Sequence, residues 1–286
     1  MATAKKRRMG APSKVPQKTS RKRGSATPWW KVVAKALLLL IWVAAAVISS
    51  QLVVGYAMYW LLGPETLAKP VPTAICSTLS YILALVWVIY VTPKISIKLK
   101  ITNEYKDGKH RINGKIAPKV MSREDMGLRD FPTWTDIGLA PVGFIVGTLL
   151  AAGLVAVFSA FSWFDAAQAQ DVGFSLYLTG PERAVAFVTL VVVAPVAEEV
   201  IFRGWLYGKL RSLLSSKISD VASMLISILL VSLVFGIVHM QWNVGVNVFA
   251  LSVVLCGLRE ITGTIYAGIL THMLKNGIAF YLLYVR

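Results

Sequence analysis

Three short runs in this chain set ionisable residues at helical spacing in apolar surroundings: Glu198-Glu199-Val-Ile-Phe-Arg203, Phe235-Gly-Ile-Val-His239 and His272-Met-Leu-Lys-Asn276. A charge buried in a membrane span costs about 3 kcal/mol or more, so such groups mark candidate sites of chemistry. Adjacent carboxylates point about 100° apart on a helix, and the two glutamates therefore have different neighbours. Glu199 and Arg203 stand at i and i+4 with the acid on the N-terminal side, the favoured ion-pair arrangement. By itself such a pair could simply tie helices together. Glu198 has Phe202 at its own i+4 position. Without a local partner, it is the carboxylate free to take a proton from water as a general base. Pro195 removes the N–H that would meet the carbonyl of Val191 and predicts a kink just ahead of the pair.

The histidines are weaker signals singly. His239 shares a helix face with Phe235, whose ring can wall the imidazole, but a lone His in an apolar helix is more often a satisfied core residue. His272 and Asn276 also share a face. They could serve as metal ligand and supporting shell or as an oxyanion-stabilising pair, or Asn276 could bond across helices. Together the runs say more. Glu198, His239 and His272 supply one carboxylate and two imidazoles, a set able to hold a divalent metal such as zinc with a position left for water. Equally, Glu198 could activate water with no metal while the histidines and Asn276 polarise a carbonyl. Sequence leaves both open.

In this order and on successive helices, Glu198-Glu199-x3-Arg203, Phe235-x3-His239 and His272-x3-Asn276 resemble the CPBP (CAAX protease and bacteriocin-processing) family of intramembrane proteases, which includes the Rce1-type CAAX prenyl endopeptidases. The stretch from Gly257 to His272 is similar to the family's approach to its last motif. The resemblance covers about residues 180–280. It implies an endopeptidase acting on a membrane-associated protein or peptide, with CAAX-type C-terminal processing as one family activity. It also implies that Glu198 activates water, that Glu199 and Arg203 support it, and that His239, His272 and Asn276 complete the site. Lys275 inside the last motif and a long basic N-terminus depart from the pattern. The alternative is a non-catalytic membrane scaffold or bacteriocin-immunity-type peptide-binding protein with the same pocket, against which the complete motif set argues. Buried Glu and His also mark proton paths in transporters, but that reading expects paired repeats, and no internal repeat is evident.

The surrounding elements must be membrane spans. The 286 residues are 56% hydrophobic and only 15% charged, with a mean hydropathy of +0.63. The apolar residues fall in runs of about 20, the length that crosses a bilayer core. The expected fold is an all-α polytopic bundle of about seven spans (six to eight): about Val32–Leu62, Thr73–Thr92, Asp136–Phe161, Ala184–Leu210, Val221–Met240, Val244–Leu258 and Gly263–Val285. Residues 1–28 carry nine Lys or Arg and no acid. They read as a disordered topogenic tail that meets anionic lipid, too basic and too long for a signal peptide. Residues 29–134 form a transmembrane pair with a basic loop, and residues 135–286 the catalytic region. In the loop 94–134, Ile95–Ile101 and the turn Lys106–Lys109 predict a small β-hairpin. Gly143-x3-Gly147 predicts a close helix contact, and Cys76 and Cys256 read as packing residues.

The net charge of +16 flanks the spans, so orientation and lipid explain it and nucleic acid is not expected as a partner. The bias predicts a multi-pass protein of the cell membrane with its N-terminus in the cytoplasm. One difficulty follows. His239 lies at the far end of its helix and Glu198 nearer the cytoplasmic end of another, so their depths could differ by more than about 10 Å. They meet only if the fourth helix is long and oblique, running on to Ser215, or if the fifth is displaced.

Overall fold

The computed structural model describes residues 28–93, 111–112, 115–116, 121–129, 131–168, 170, 173–174 and 178–286. The basic tail before Pro28 and the hairpin expected over 95–109 lie outside the described residues. In the same loop, β1 (Arg111–Ile112) and β2 (Lys115–Ile116) pair antiparallel, Arg111 opposite Ile116 and Ile112 opposite Lys115.

The rest is helical. α1 (Trp29–Leu62), the short α2 (Pro64–Leu67) and α3 (Pro70–Val91) precede the basic loop. α4 (Trp134–Phe158), α5 (Gly180–Ser215), α6 (Asp220–Ile237), α7 (Trp242–Thr262) and α8 (Tyr266–Tyr284) follow it. Among the described residues six helices are long and apolar enough to cross a membrane: α1 and α3 to α7. α8 has 19 residues, about 28 Å of helix, but His272, Lys275 and Asn276 lower its apolar character. It is the seventh expected span.

α5 resolves the depth problem by the first of the two routes. It runs for 36 residues, about 54 Å against a hydrocarbon core about 30 Å thick, and it does reach Ser215. It is not uniformly α-helical. Val188–Val193 and Glu199–Tyr207 are wound as π-helix, a winding common at functional sites. Its middle forms the core of the bundle, where Ile201, Phe202, Trp205, Leu206 and Leu210 pack against α1, α6 and α7.

Small residues permit close approach. A Cβ on Gly143 would stand 2.8 Å from Leu258 Cδ1 and 2.9 Å from Thr271 Oγ1, so the Gly143-x3-Gly147 face does pack α4 onto α7 and α8. The turn between those two helices begins at Gly263, whose φ of 69° suits a residue without Cβ. The segment 121–129 is bound onto this turn. Ile265 N–H donates to the Gly127 carbonyl at 3.1 Å, and Tyr266 Oη to the Arg129 carbonyl at 2.6 Å. Thr264 Oγ1 donates to Asp136 Oδ1 at the start of α4 at 2.7 Å.

Candidate active site

α5, α6 and α8 bring the three motifs to one cavity of about 890 Å³ lined by Glu198, Phe235, His239, His272, Lys275 and Asn276 among others. The two glutamates part as their spacing predicts. Glu199 begins a π-helical segment and is fully buried with Arg203. Arg203 Nη1 donates to Glu199 Oε1 at 2.9 Å. The guanidinium also lies over the Phe235 ring, 4.3 Å from its centroid, a cation–π contact that supports a charge away from water. Glu198 ends the preceding α-helical turn, and its side chain keeps 13% exposure against none for Glu199. Of the pair, Glu198 is the carboxylate that meets the cavity.

His272 lies between them. Its Nδ1 is 3.2 Å from Glu199 Oε1 and its Nε2 is 3.8 Å from Glu198 Oε2. With Nδ1–H donating to Glu199, the Nε2 lone pair and Glu198 Oε2 are two acceptors too far apart for a direct hydrogen bond, and one water on their cavity side can donate to both. His239 lies just past the end of α6. Its Nδ1 is 2.7 Å from the Phe235 carbonyl, and a carbonyl only accepts, so Nδ1 carries the proton and Nε2 of the neutral ring has the lone pair. The shared face of Phe235 and His239 is as expected, with ring centroids 5.0 Å apart. Phe235 is more central than its spacing suggests, because it also packs edge-on to Phe202 at 4.9 Å and to His272 at 6.0 Å.

Asn276 takes the cross-helix role weighed for it. Its Nδ2 donates to the Leu190 carbonyl at 3.0 Å. The physical reason corrects the expectation that Pro195 frees Val191. In the π-helical turn Ala194 N–H reaches back to the Thr189 carbonyl, and Pro195 has no N–H, so the carbonyl left without a helical donor is that of Leu190. Asn276→Leu removes its donor. The expected loss is about 1–3 kcal/mol, seen as a lower midpoint of thermal unfolding in detergent; an unchanged midpoint would show that α8 does not depend on this bond.

Three positions were missed or underrated in the sequence. Tyr81 of α3 donates to Glu198 Oε1 at 2.6 Å; a tyrosine in the middle of an apolar span was the available signal. Lys275 lines the cavity between His272 and Asn276. Gly268 lies one turn before His272, where an added Cβ would stand 3.0 Å from Glu199 Oε2. Gly268→Ala therefore presses on a fully buried carboxylate, and a stability loss of about 1–3 kcal/mol is expected by the same thermal measurement.

Among the described residues no three His, Cys, Asp or Glu side chains are grouped to hold a metal ion. His272 turns its two nitrogens to two different carboxylates, and its Nε2 and Glu198 Oε2, 3.8 Å apart, are two members of the Glu198, His239 and His272 set that stand side by side. Cys256 is buried, whereas Cys76 lines the cavity. Neither forms a disulfide.

Residues 180–278 match the family model of Rce1-like type II CAAX prenyl endopeptidases. The matched segment, about a third of the chain, runs from the start of α5 into α8 and contains all three motifs. At the level of the family, the match supports a CAAX-type intramembrane endopeptidase in a multi-pass membrane protein. No curated protein and no solved structure matches the chain.

Proposed function

We propose that this protein is an endopeptidase that hydrolyses a peptide bond of a membrane-associated polypeptide, with Glu198 as the base that activates water. The observation that carries the reading is that Glu198 Oε2 and His272 Nε2 lie 3.8 Å apart on the wall of one cavity, where a single water can donate to both, beside a Glu199 already committed to Arg203. Water held there loses a proton to Glu198 as its oxygen attacks the carbonyl carbon. The resulting oxyanion needs donors. His239 with its proton on Nδ1 offers an acceptor at Nε2, so the donors nearest in sequence to His272 among the cavity-lining residues are the side chains of Lys275 and Asn276. Collapse of the tetrahedral intermediate breaks the C–N bond, and protonated Glu198 returns its proton to the departing amine. Glu199 and Arg203 act through His272, which they orient, and are positioning residues.

The Tyr81 hydroxyl holds one oxygen of Glu198 and leaves the other toward His272. Tyr81→Phe frees that carboxylate to rotate. Turnover is expected to fall about tenfold or more, from the value of a hydrogen bond to a charged group, with the unfolding midpoint little changed. The test of the function itself is cleavage of a membrane-anchored reporter peptide by purified protein in liposomes. Reporter binding without cleavage would favour the scaffold or immunity-type reading instead.

A further inference from the structure

We infer that the cavity holding Glu198 opens on the membrane face opposite the basic one, so that its substrate is an extracytoplasmic segment of an exported or membrane-anchored polypeptide. The first support is charge. Of the 30 Lys and Arg, only Lys69, Arg183 and Arg286 lie at the α2–α3, α4–α5 and C-terminal ends of the bundle, and only Arg203 and Lys275 lie inside it. All the others flank the start of α1, the α3–α4 loop, the α5–α6 turn or the α7–α8 turn. These four places share one face, because each successive long helix reverses direction. A bias this large in short loops places that face in the cytoplasm.

The second support is where the cavity lies along each helix. On α7 it is lined by Val244, Asn247 and Leu251, in the half next to Trp242 and away from the basic turn at Arg259. On α6 it is lined by Phe235, at the end remote from Asp220. Gln168, Met240 and Gln241 line it from the connections between helices at that same face, and Met240 is 76% exposed.

The third support is the closed opposite end. Below Glu199 and Arg203, Leu206, Leu210 and Leu255 are wholly buried. The segment 121–129 covers α5 there: a Cβ on Gly204 would stand 3.1 Å from the Met126 carbonyl, and one on Gly208 2.7 Å from Met121 Cε. Tyr207 Oη donates to Glu260 Oε1 at 2.5 Å, and Arg211 Nε to the same oxygen at 3.0 Å, which ties α5 to α7 across this end. The rim of the open end carries amide side chains, from Gln168, Gln241 and Asn247. Amides can pair with peptide N–H and C=O groups without selecting charge.

The statement about substrate rests on the peptidase reading, whereas the statement about access does not. The test is labelling with a membrane-impermeant maleimide in right-side-out and inverted vesicles. Cys76 reports the cavity, and Cys256, fully buried, is silent. Ala167→Cys and Ser216→Cys, both at exposed positions and each placed in a Cys76→Ala background, report the two faces. Cys76 and Ala167→Cys are expected to label in right-side-out vesicles, and Ser216→Cys only in inverted ones. Labelling of Cys76 together with Ser216→Cys, reversal of the two face reporters, or no labelling of Cys76 from either side would each overturn the inference. Glu198→Gln protein should label like wild type, so a failure of catalysis is separable from a failure of access. Where the wild type cleaves, an impermeant peptide should be cut by right-side-out vesicles and not by inverted ones.

Discussion

Glu198→Gln is expected to lower turnover by about 10²–10⁴-fold, the usual contribution of a positioned general base, while the protein keeps its wild-type unfolding midpoint. The substitution is close to isosteric. Gln can still accept the Tyr81 hydroxyl through its side-chain oxygen, so the contact at 2.6 Å persists, and only the capacity to take a proton from water is lost. No buried charge partner is orphaned, because Glu198 makes no ion pair with Lys or Arg among the described residues and faces His272 across 3.8 Å. The measurement is single-turnover cleavage of a membrane-anchored peptide by wild type and variant, with and without a zinc chelator. On the reading in which Glu198 activates water without a metal, wild-type turnover is expected to survive chelation. Near-wild-type cleavage by Glu198→Gln would remove this carboxylate from the mechanism. Loss of wild-type activity on chelation, restored by zinc, would establish the metal reading in its place.

Arg203→Met is expected to have the largest effect on stability, about 3–5 kcal/mol, because removal of one member of a buried ion pair leaves the other charge uncompensated. Both members here have no exposed surface. Glu199 would keep His272 as its remaining partner, at 3.2 Å. Its Oε2 already makes no hydrogen bond, so little else on that side could compensate. The informative comparison is the double variant Glu199→Gln/Arg203→Met. It removes both charges and preserves an acceptor for His272, and it should recover most of the loss, since a buried pair replaced as a unit is often near neutral. Thermal midpoints of the two single variants and the double variant form a cycle whose coupling isolates the pair. Additive losses would mean that Glu199 and Arg203 stabilise the bundle independently.

The two glutamates thus fail differently under neutral substitution, one in chemistry and one in folding. That division was legible in the sequence, because helical spacing alone gives Glu199 a partner four residues on and denies one to Glu198. The spans were legible too. Their ends fall within a few residues of the apolar runs, since the thickness of a bilayer dictates the length of helix that must be apolar. So was the reach of α5 to Ser215, needed to bring residues of different depth together. Less could be read of what crosses between helices. Tyr81 is 117 residues from Glu198, and no local periodicity links them. The donor for the Leu190 carbonyl depends on a π-helical turn that shifts the orphaned group by one residue from where α-helical counting puts it.

The sequence by itself determined that this is a membrane bundle, that charges are buried within it, and which carboxylate lacks a local partner, because these follow from hydropathy and from spacing within single helices. Only the tertiary structure decided that His272 stands between both glutamates, that Tyr81 and Lys275 share their cavity, and which end of that cavity is closed. Those properties depend on distances between helices, which packing sets and local sequence does not encode.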